Sequence, residues 1–172
     1  MGLSPNDMFI WMPKEHMCVL VYLVTVLHSM QSGYMEKAQK YTEKALMQID
    51  KLKGTNWHLK VKNLNNKMHI FYYKSASGSA NMMGTFQLIL LEHIAMCHLV
   101  TGNRSTAIKE TVQALNICYR DPKLKYRHKP LIHALLGMYA MSMNITDSAE
   151  NQLAMSLSVS TFGGQVKKVL NY

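Results

Sequence analysis

The feature that most constrains this chain is a spacing of small residues that recurs after three turn-forming residues. In each case one small residue follows five positions after the turn residue, and another follows seven positions later. The three sets are Gly33, Ala38 and Ala45; Gly102, Ala107 and Ala114; and Asn144, Ala149 and Ser156. Side chains seven positions apart lie on one face of a helix. Each set therefore predicts a helix that approaches its neighbours closely.

The sequence on both sides of these turns predicts helical hairpins. Residues 17–30 form an apolar run that is too long for an ordinary strand, and Pro13 suits a helix start. Residues 34–52 have apolar positions at spacings of three and four. The predicted hairpins are residues 13–53, residues 85–120 and, with a connection, residues 121–160, whose first helix we expect to begin near Pro130. Gly and Asn at the turns suit a positive φ.

Close helix approach through small residues is the device of tetratricopeptide-like (TPR-like) repeats. We therefore predict an all-α fold in which TPR-like helical hairpins form a short α-solenoid. Apolar residues make up 48% of the chain, which is enough to build a core. An unrelated antiparallel bundle with accidental alanine spacing is the alternative that these residues leave open.

Three segments are predicted to lie outside the hairpins. Residues 1–12 form an N-terminal extension, residues 54–84 a long basic loop-like insert between the first two hairpins, and residues 161–172 a frayed tail. The insert contains clusters of Asn, Ser and Gly, which are typical of loops. The tail departs from the helical pattern at about Phe162.

A net charge of +9 favours association with polyanions, so nucleic acid is one class of partner to consider. Lysines and aromatic residues interleave in and around the insert, and such a mixture can hold phosphates by charge and bases by stacking. The set is Lys51, Lys53, Lys60, Lys62, Lys67, Lys74, Trp57, Phe71, Tyr72 and Tyr73. A second basic stretch contains Arg120, Lys123, Lys125, Arg127 and Lys129. No nucleic-acid-binding module accompanies either stretch, so solvated connections are the favoured interpretation.

No membrane association is expected. The longest apolar run, residues 17–27, is 11 residues long. A membrane-spanning helix needs about 20 apolar residues.

The sequence contains no pattern of residues typical of catalysis. Glycine-rich phosphate loops and the nucleophile elbow do not occur, so neither a cofactor nor a small-molecule substrate is expected. Cys18, Cys97 and Cys118 lie in apolar surroundings, where the pKa of a thiol rises and its reactivity falls. Their odd number and wide separation fit a reducing compartment.

One pair of residues has the spacing of metal ligands. His93 and Cys97 lie four positions apart and share a helix face. A closed zinc site needs four ligands, and nothing in the sequence supplies the other two. A histidine at a hairpin interface beside a buried thiol is the favoured interpretation.

Long stretches of the sequence resemble the metazoan Mau chromatid cohesion factor family. The resemblance is closest over residues 5–53, above all MPKEHMCVLVYLVTVLHSMQSGYMEKAQKYTEKALMQ at 12–48. It resumes over residues 84–118, with FQLILLEHIAMCHLVTG at 86–102. It continues more weakly over residues 131–160, with LLGMY at 135–139 and DSAENQL at 147–153.

This resemblance implies a non-enzymatic TPR scaffold in the nucleus. In the family, the helical superhelix binds an extended N-terminal segment of the large HEAT-repeat cohesin loader, Nipped-B-like or delangin. The pair loads cohesin onto chromatin and supports sister-chromatid cohesion, and ATP hydrolysis belongs to cohesin. The implied partners are thus the loader and, indirectly, cohesin and chromatin.

Hairpin geometry suggests where a partner would bind, since the first helices of such hairpins line the concave side. The candidates for partner contact are Leu23, Leu27, Met30, Glu92, Met96, Leu99, Ala134, Met138 and Met141. Methionine is adaptable and frequent on peptide-binding surfaces. Packing between helices is the alternative, and the favoured, interpretation for each of them.

Two other classes of function stay open at this point. A TPR adaptor for an unrelated partner, such as a chaperone, would clamp an acidic C-terminus with Lys and Arg, whereas the candidate face here is mostly apolar. An α-helical enzyme would need a catalytic site, and the sequence displays none.

Overall fold

The computed structural model describes residues 12–54 and 66–170, and side chains for residues 12–53 and 82–159. These residues form α-helices and no strand, which confirms the all-α prediction. The described helices are α1 (Lys14–Gln31), α2 (Met35–Gly54), α3 (Asn66–Val100), α4 (Arg104–Arg120), α5 (Pro122–Ser142) and α6 (Thr146–Leu170).

The three predicted turns share one geometry. Gly33, Gly102 and Asn144 have φ values of 78°, 81° and 59°. After α1, the Tyr34 N–H donates to Ser29 O over 2.8 Å, five residues back, and the turns after α3 and α5 repeat this bond. The turn residue itself donates to the carbonyl three residues back, as Gly33 N–H does to Met30 O, and the two bonds together are the Schellman arrangement that ends helices. Each turn reverses the chain, so α1–α2, α3–α4 and α5–α6 are hairpins.

Five of the six predicted small residues after the turns are buried, whereas the sixth, Ser156, is half-buried. Ala38, Ala45 and Ala114 are fully buried, while Ala107 and Ala149 are 1% and 3% exposed. In the third hairpin, α5 and α6 approach most closely at Gly137, where a Cβ atom would lie 2.8 Å from Leu153 Cγ. Because a methyl group or a hydrogen atom occupies these positions, the helix backbones can nest.

The helices form two layers. The first helices of the hairpins form one layer, in which α1 contacts α3 and α3 contacts α5. The second helices cover this layer from one side, because α2 packs on α1 and α3, and α4 packs on α3 and α5. Helix α6 packs on α5. Val19, Leu23 and Leu90 are members of the apolar cluster between the first hairpin and α3.

A second apolar cluster joins the second and third hairpins. Leu88 and Leu91 of α3, Ala114 and Cys118 of α4, and Ile132 of α5 are buried together in it. Each hairpin therefore buries part of its apolar surface against the next one, as expected for stacked repeats.

The structure corrects the predicted insert. Helix α3 begins at Asn66, so residues 66–84 are helical where the sequence indicated a loop. Its small polar residues include few strong helix breakers, and continuity with the buried half of α3 outweighs their loop propensity. Residues 55–65 lie outside the described residues.

The third hairpin and the tail also differ from expectation. Helix α5 begins at Pro122 rather than near Pro130, because Asp121 caps it: its carboxylate accepts the Lys123 N–H over 2.9 Å. Pro130 lies inside the helix. Helix α6 continues to Leu170, so the segment from Phe162 is helical rather than frayed.

The stretch Met82–Val100 of α3 is long and apolar enough to cross a membrane, with a mean hydropathy of 1.4. However, 56% of this stretch is buried inside the protein. Its position between α1, α2, α4 and α5 accounts for its apolar composition, because a central helix of a soluble fold has the same character.

Candidate protein-binding face

The open side of α3 carries side chains at helical spacing. Four other helices cover the rest of its C-terminal half. Ile89, His93 and Met96 are half-buried, and Val100 is 67% exposed. Because they follow one another at intervals of four, three and four, they form one strip along the helix.

Helix α5 continues this strip on the neighbouring helix. Leu131, Ala134, Met138 and Met141 follow at intervals of three, four and three, so they share one face. Leu131 is 40% and Met141 is 52% exposed, while Ala134 and Met138 are half-buried. The partners of α5, namely α3, α4 and α6, lie on its other sides.

Helix α1 contributes the third part. Val24 is 57% exposed, and Leu27 is half-buried beside the core cluster. We call the combined open side of the three helices the first-helix face. Its apolar members are Val24, Leu27, Ile89, Met96, Val100, Leu131, Ala134, Met138 and Met141.

Two of the nine predicted contact residues do not belong to any surface. Leu23 is 5% exposed and lies in the core cluster of α1, α2 and α3. Glu92 is 4% exposed, and its Oε1 accepts the Nδ1–H of His128 over 2.8 Å. These two predictions were wrong, since both side chains are covered by neighbouring helices.

The other seven residues keep some exposure. Met141 is exposed, and the six half-buried residues are Leu27, Met30, Met96, Leu99, Ala134 and Met138. Met30 packs against the core cluster together with Leu27. Sequence reasoning missed Ile89 and Leu131, although both lie at helical spacing from residues that it selected.

The bond between Glu92 and His128 ties α3 to α5 behind the first-helix face. Both side chains are more than nine-tenths buried, so this hydrogen bond has little competition from water. His128 Nε2 is also buried and has no partner among the described residues. The pair is a polar contact within the apolar junction of the second and third hairpins.

A second contact between acid and histidine lies between α3 and α4. His98 Nε2 lies 3.5 Å from Glu110 Oε1. Burial raises the pKa of Glu110 to about 7, and the negative charge of Glu43 adds to the rise. Burial lowers the pKa of His98, against the attraction of Glu43. Glu110 is therefore partly protonated near neutral pH, whereas the His98 ring is mostly neutral.

The raised pKa of Glu110 has a consequence for stability. The folded chain holds a proton on Glu110 between about pH 4.5 and 7, where the unfolded chain has released it. This group therefore favours the folded state most at acidic pH, and its contribution is lost as the pH rises through about 7.

The cysteines are structural in character. Burial raises the pKa of Cys97 and raises that of Cys118 to about 11, as their apolar surroundings predicted. Cys97 Sγ points to Met35 O at 3.8 Å, and Cys118 Sγ points to Leu124 O at 3.6 Å. Both thiols thus serve as small buried groups between helices. Cys18 is half-buried and free.

His93 and Cys97, the predicted metal-like pair, each contact a different backbone carbonyl group. His93 Nδ1–H donates to Ile89 O in its own helix over 2.7 Å, and Cys97 points toward α2. Among the residues for which side chains are described, no three His, Cys, Asp or Glu side chains come together in a way that could hold a metal ion.

The basic set around the predicted insert is only partly described. Lys51 and Lys53 lie in the last turn of α2, and Lys53 Nζ donates to Gln87 Oε1 of α3. The other members lie outside the residues with described side chains; they are Lys60, Lys62, Lys67, Lys74, Trp57, Phe71, Tyr72 and Tyr73.

The sequence matches the model of one protein family over nearly its whole length. That family is described as "Cohesin loading factor", and the match covers residues 5–167. It therefore runs through both the predicted insert and the first part of the predicted tail. No solved structure matches this chain.

Curated relatives agree with that match. The chain is 46% identical over 162 residues to the "MAU2 chromatid cohesion factor homolog" of Aedes aegypti, covering 93% of this chain and 23% of that protein. It is 43% identical over 159 residues to the protein of the same name in Drosophila melanogaster, covering 91% of this chain and 22% of the relative. The chain thus spans less than a quarter of the length of these relatives. On the family match and these identities together, the chain belongs to the cohesin loading factor family.

Proposed function

We propose that this chain is a non-enzymatic scaffold that binds a protein partner on its first-helix face and supports the loading of cohesin onto chromatin. The observation that carries the proposal is the first-helix face itself, on which apolar side chains of three adjacent helices remain open to solvent. An extended apolar surface rimmed by polar residues is typical of a protein-binding site. The names of the family and of the relatives supply the process.

The partner that we propose is the N-terminal segment of the large HEAT-repeat cohesin loader, Nipped-B-like or delangin. An extended segment could contact the three first helices in succession, because they lie side by side in one layer. This role would place the protein in the nucleus, in contact with cohesin and chromatin through the loader. It would contribute to sister-chromatid cohesion.

A binding role agrees with the state of the reactive side chains. Burial raises the pKa of the Cys97 and Cys118 thiols, which lowers their nucleophilicity at neutral pH. Glu92 and His128 bond to each other in the interior rather than in an open cleft. These groups serve packing, and the surface that is left available is apolar.

Co-purification of this chain with the loader's N-terminal segment tests the proposal. We expect the wild-type chain to retain the segment, and the double variant Met96→Glu and Met138→Glu to lose it, because two charges would be buried at the contact. The control is Met47→Glu with Val112→Glu, two exposed apolar residues on the second helices. This control should retain binding.

Thermal melting of each variant separates loss of binding from loss of folding. Met141→Glu, at a position that is already 52% exposed, serves as the milder variant if the double variant unfolds. Retention of the segment by the Met96 and Met138 double variant would contradict the proposed face. Recovery of heat-shock chaperones from cells instead of the loader would favour the adaptor class.

A further inference from the structure

Acidic side chains are distributed unequally between the two helix layers. In the first helices, the acids are Glu15 near the start of α1 and the buried Glu92 in α3, and α5 contains none. The second helices contain six acids: Glu36, Glu43, Asp50, Glu110, Asp147 and Glu150. Glu92 is buried and bonded to His128 in the interior, so the first-helix face carries almost no negative charge.

Two cations extend the apolar strip of α5. Lys123 and Arg127 are exposed and lie four positions apart, and Leu131 follows after another four. All three therefore point to the same side of α5, with the cations in its first two turns. Neither cation forms an ion pair with another described residue. The first-helix face thus has a basic end and an apolar end.

These cations are not explained by the stability of α5. The N-terminus of a helix carries a partial positive charge, so Lys123 is unfavourable in the first turn, and Arg127 in the second turn gains nothing from this charge. The carboxylate nearest in sequence, that of Asp121, accepts the backbone N–H of Lys123 and caps the helix. A negatively charged partner would offset the repulsion that the free chain tolerates at this place.

We propose that the first-helix face binds a polypeptide segment in which acidic residues lie next to apolar ones. The carboxylates would pair with Lys123 and Arg127, and the apolar side chains would pack on Leu131, Ala134 and Met138. This inference rests on the proposed protein-binding function and specifies the chemistry of the bound segment. It also fixes where the acidic part of the segment binds, namely at the N-terminal end of α5.

A peptide fits this face better than a nucleic acid does. Nucleic acids are held by rows of cations that follow the phosphate backbone. Here the cations stop after Arg127, and the next positions on the face are Leu131, Ala134 and Met138, which offer nothing to phosphates. A segment with both acidic and apolar side chains satisfies both ends of the face.

Two peptide sets test the inference on the whole chain. One is an array of short overlapping peptides that tile the loader's N-terminal segment, and the other is a random peptide library displayed on phage. We expect the bound sequences of either set to combine Asp or Glu with apolar residues. The double variant Lys123→Glu and Arg127→Glu should weaken the binding of such a peptide by about tenfold or more.

Matched changes on both partners sharpen the test. The control variant is Lys37→Glu with Arg104→Glu, which reverses two exposed charges in the first turns of α2 and α4 and should leave binding unchanged. Replacing the acids of the bound peptide by Asn or Gln should weaken its binding to the wild-type chain. It should have little effect on binding to the Lys123 and Arg127 variant, because the paired cations are already gone.

The outcomes separate this inference from the proposed function. If the library yields acidic–apolar peptides but no loader peptide binds, the chemistry of the face stands and the loader is not its partner. If loader peptides bind but are basic, or bind equally well to the charge-reversed variant, the inference is overturned while the loader remains the partner. If neither set binds, or if labelled duplex DNA binds through Lys123 and Arg127 in preference to any peptide, the inference is wrong.

Discussion

The close approach of α5 and α6 at Gly137 leads to a specific prediction. A Cβ atom added there would lie 2.8 and 2.9 Å from Leu153 Cγ and Cδ2, and 3.4 Å from Ala149 O. At Gly84 in α3 the same addition would meet only Leu124 Cδ1 at 3.4 Å, the far end of a flexible side chain. The two glycines therefore form a matched pair: both lie inside helices, but one faces a clash.

The expected magnitudes follow from two opposing terms. Alanine is favoured over glycine inside a helix by about 1 kcal/mol, and this term applies to both positions. Gly84→Ala should therefore stabilise the protein by up to about 1 kcal/mol. At Gly137 overpacking adds a cost of about 1–3 kcal/mol, so Gly137→Ala should range from neutral to about 2 kcal/mol destabilising. The difference between the two variants isolates the clash at about 1–3 kcal/mol.

Urea unfolding followed by circular dichroism measures both free energies. Removal of the clashing side chain supplies a second test: Leu153→Ala should cost less in the Gly137→Ala background than in the wild type, because the overlap disappears with it. Equal free energies for Gly84→Ala and Gly137→Ala would refute the close approach of α5 and α6. Simple additivity of Gly137→Ala and Leu153→Ala would refute the assignment of the contact to Leu153.

Two further predictions concern α4 in the second hairpin. Ala107→Leu should destabilise the protein by about 1–3 kcal/mol through overpacking. The control, Ala154→Leu on the exposed side of α6, should change the melting temperature little. Equal melting temperatures for the two variants would place Ala107 at the surface. Glu110→Gln should remove the fall in stability that the wild type displays as the pH rises through about 7. Chemical unfolding between about pH 4.5 and 8 measures this effect, with the wild type and the variant compared at each pH because His98 titrates in both, and an unchanged slope in the variant would contradict the raised pKa of Glu110.

The three turns and the buried small residues were predictable because each depends on a local rule. A positive φ at the end of a helix favours Gly or Asn, and the five-residue offset to the next small residue is set by the helix period. Recurrence at Gly33, Gly102 and Asn144 made the signal stronger than any single copy. The TPR-like character of the resulting stack stays a prediction.

The limits of helices without such a marker were harder to predict. The first half of α3 contains Ser, Ala, Asn and Gly at 75–84, which resemble a loop when they are taken alone. Pro130 resembled a helix start, while the effective start was the pair of Asp121 and Pro122, in which a capping side chain precedes a proline. The start of α3 thus depends on continuity with its buried half, which the sequence does not display, whereas the start of α5 follows a local capping signal that the prediction overlooked.

The candidate face was predictable in outline but not residue by residue. Helical spacing assigns residues to faces, and it placed Ala134, Met138 and Met141 together on α5. It cannot say which neighbouring helix covers a given face. Leu23 is covered by the first-hairpin cluster, and Glu92 is covered by α5, because α3 has helices on both sides.

One detail of the repeats links sequence variation to packing. Seven positions before the turns lie Val26, Ala95 and Gly137, and nine positions after the turns lie Thr42, Thr111 and Leu153. In the first two hairpins a buried threonine bonds to the carbonyl of the small residue four positions earlier. The third hairpin has a larger leucine at that position, and the facing helix has no side chain at Gly137. The larger side chain of Leu153 on α6 is thus offset by the missing side chain of Gly137 on α5.

The tight packing at Gly137 contrasts with the open sides of α3 and α5, which belong to the first-helix face. The buried side of α5 fits α6 closely enough that one methyl group matters at Gly137, and the buried side of α3 is covered by four helices. No such fit constrains their open sides, where polar residues would cost the folded chain nothing. Leu131 and Met141 nevertheless remain apolar and 40% and 52% exposed. Their exposure fits the partner contact proposed above, and the exposed Lys123 and Arg127 beside them fit the acidic residues proposed for the bound segment.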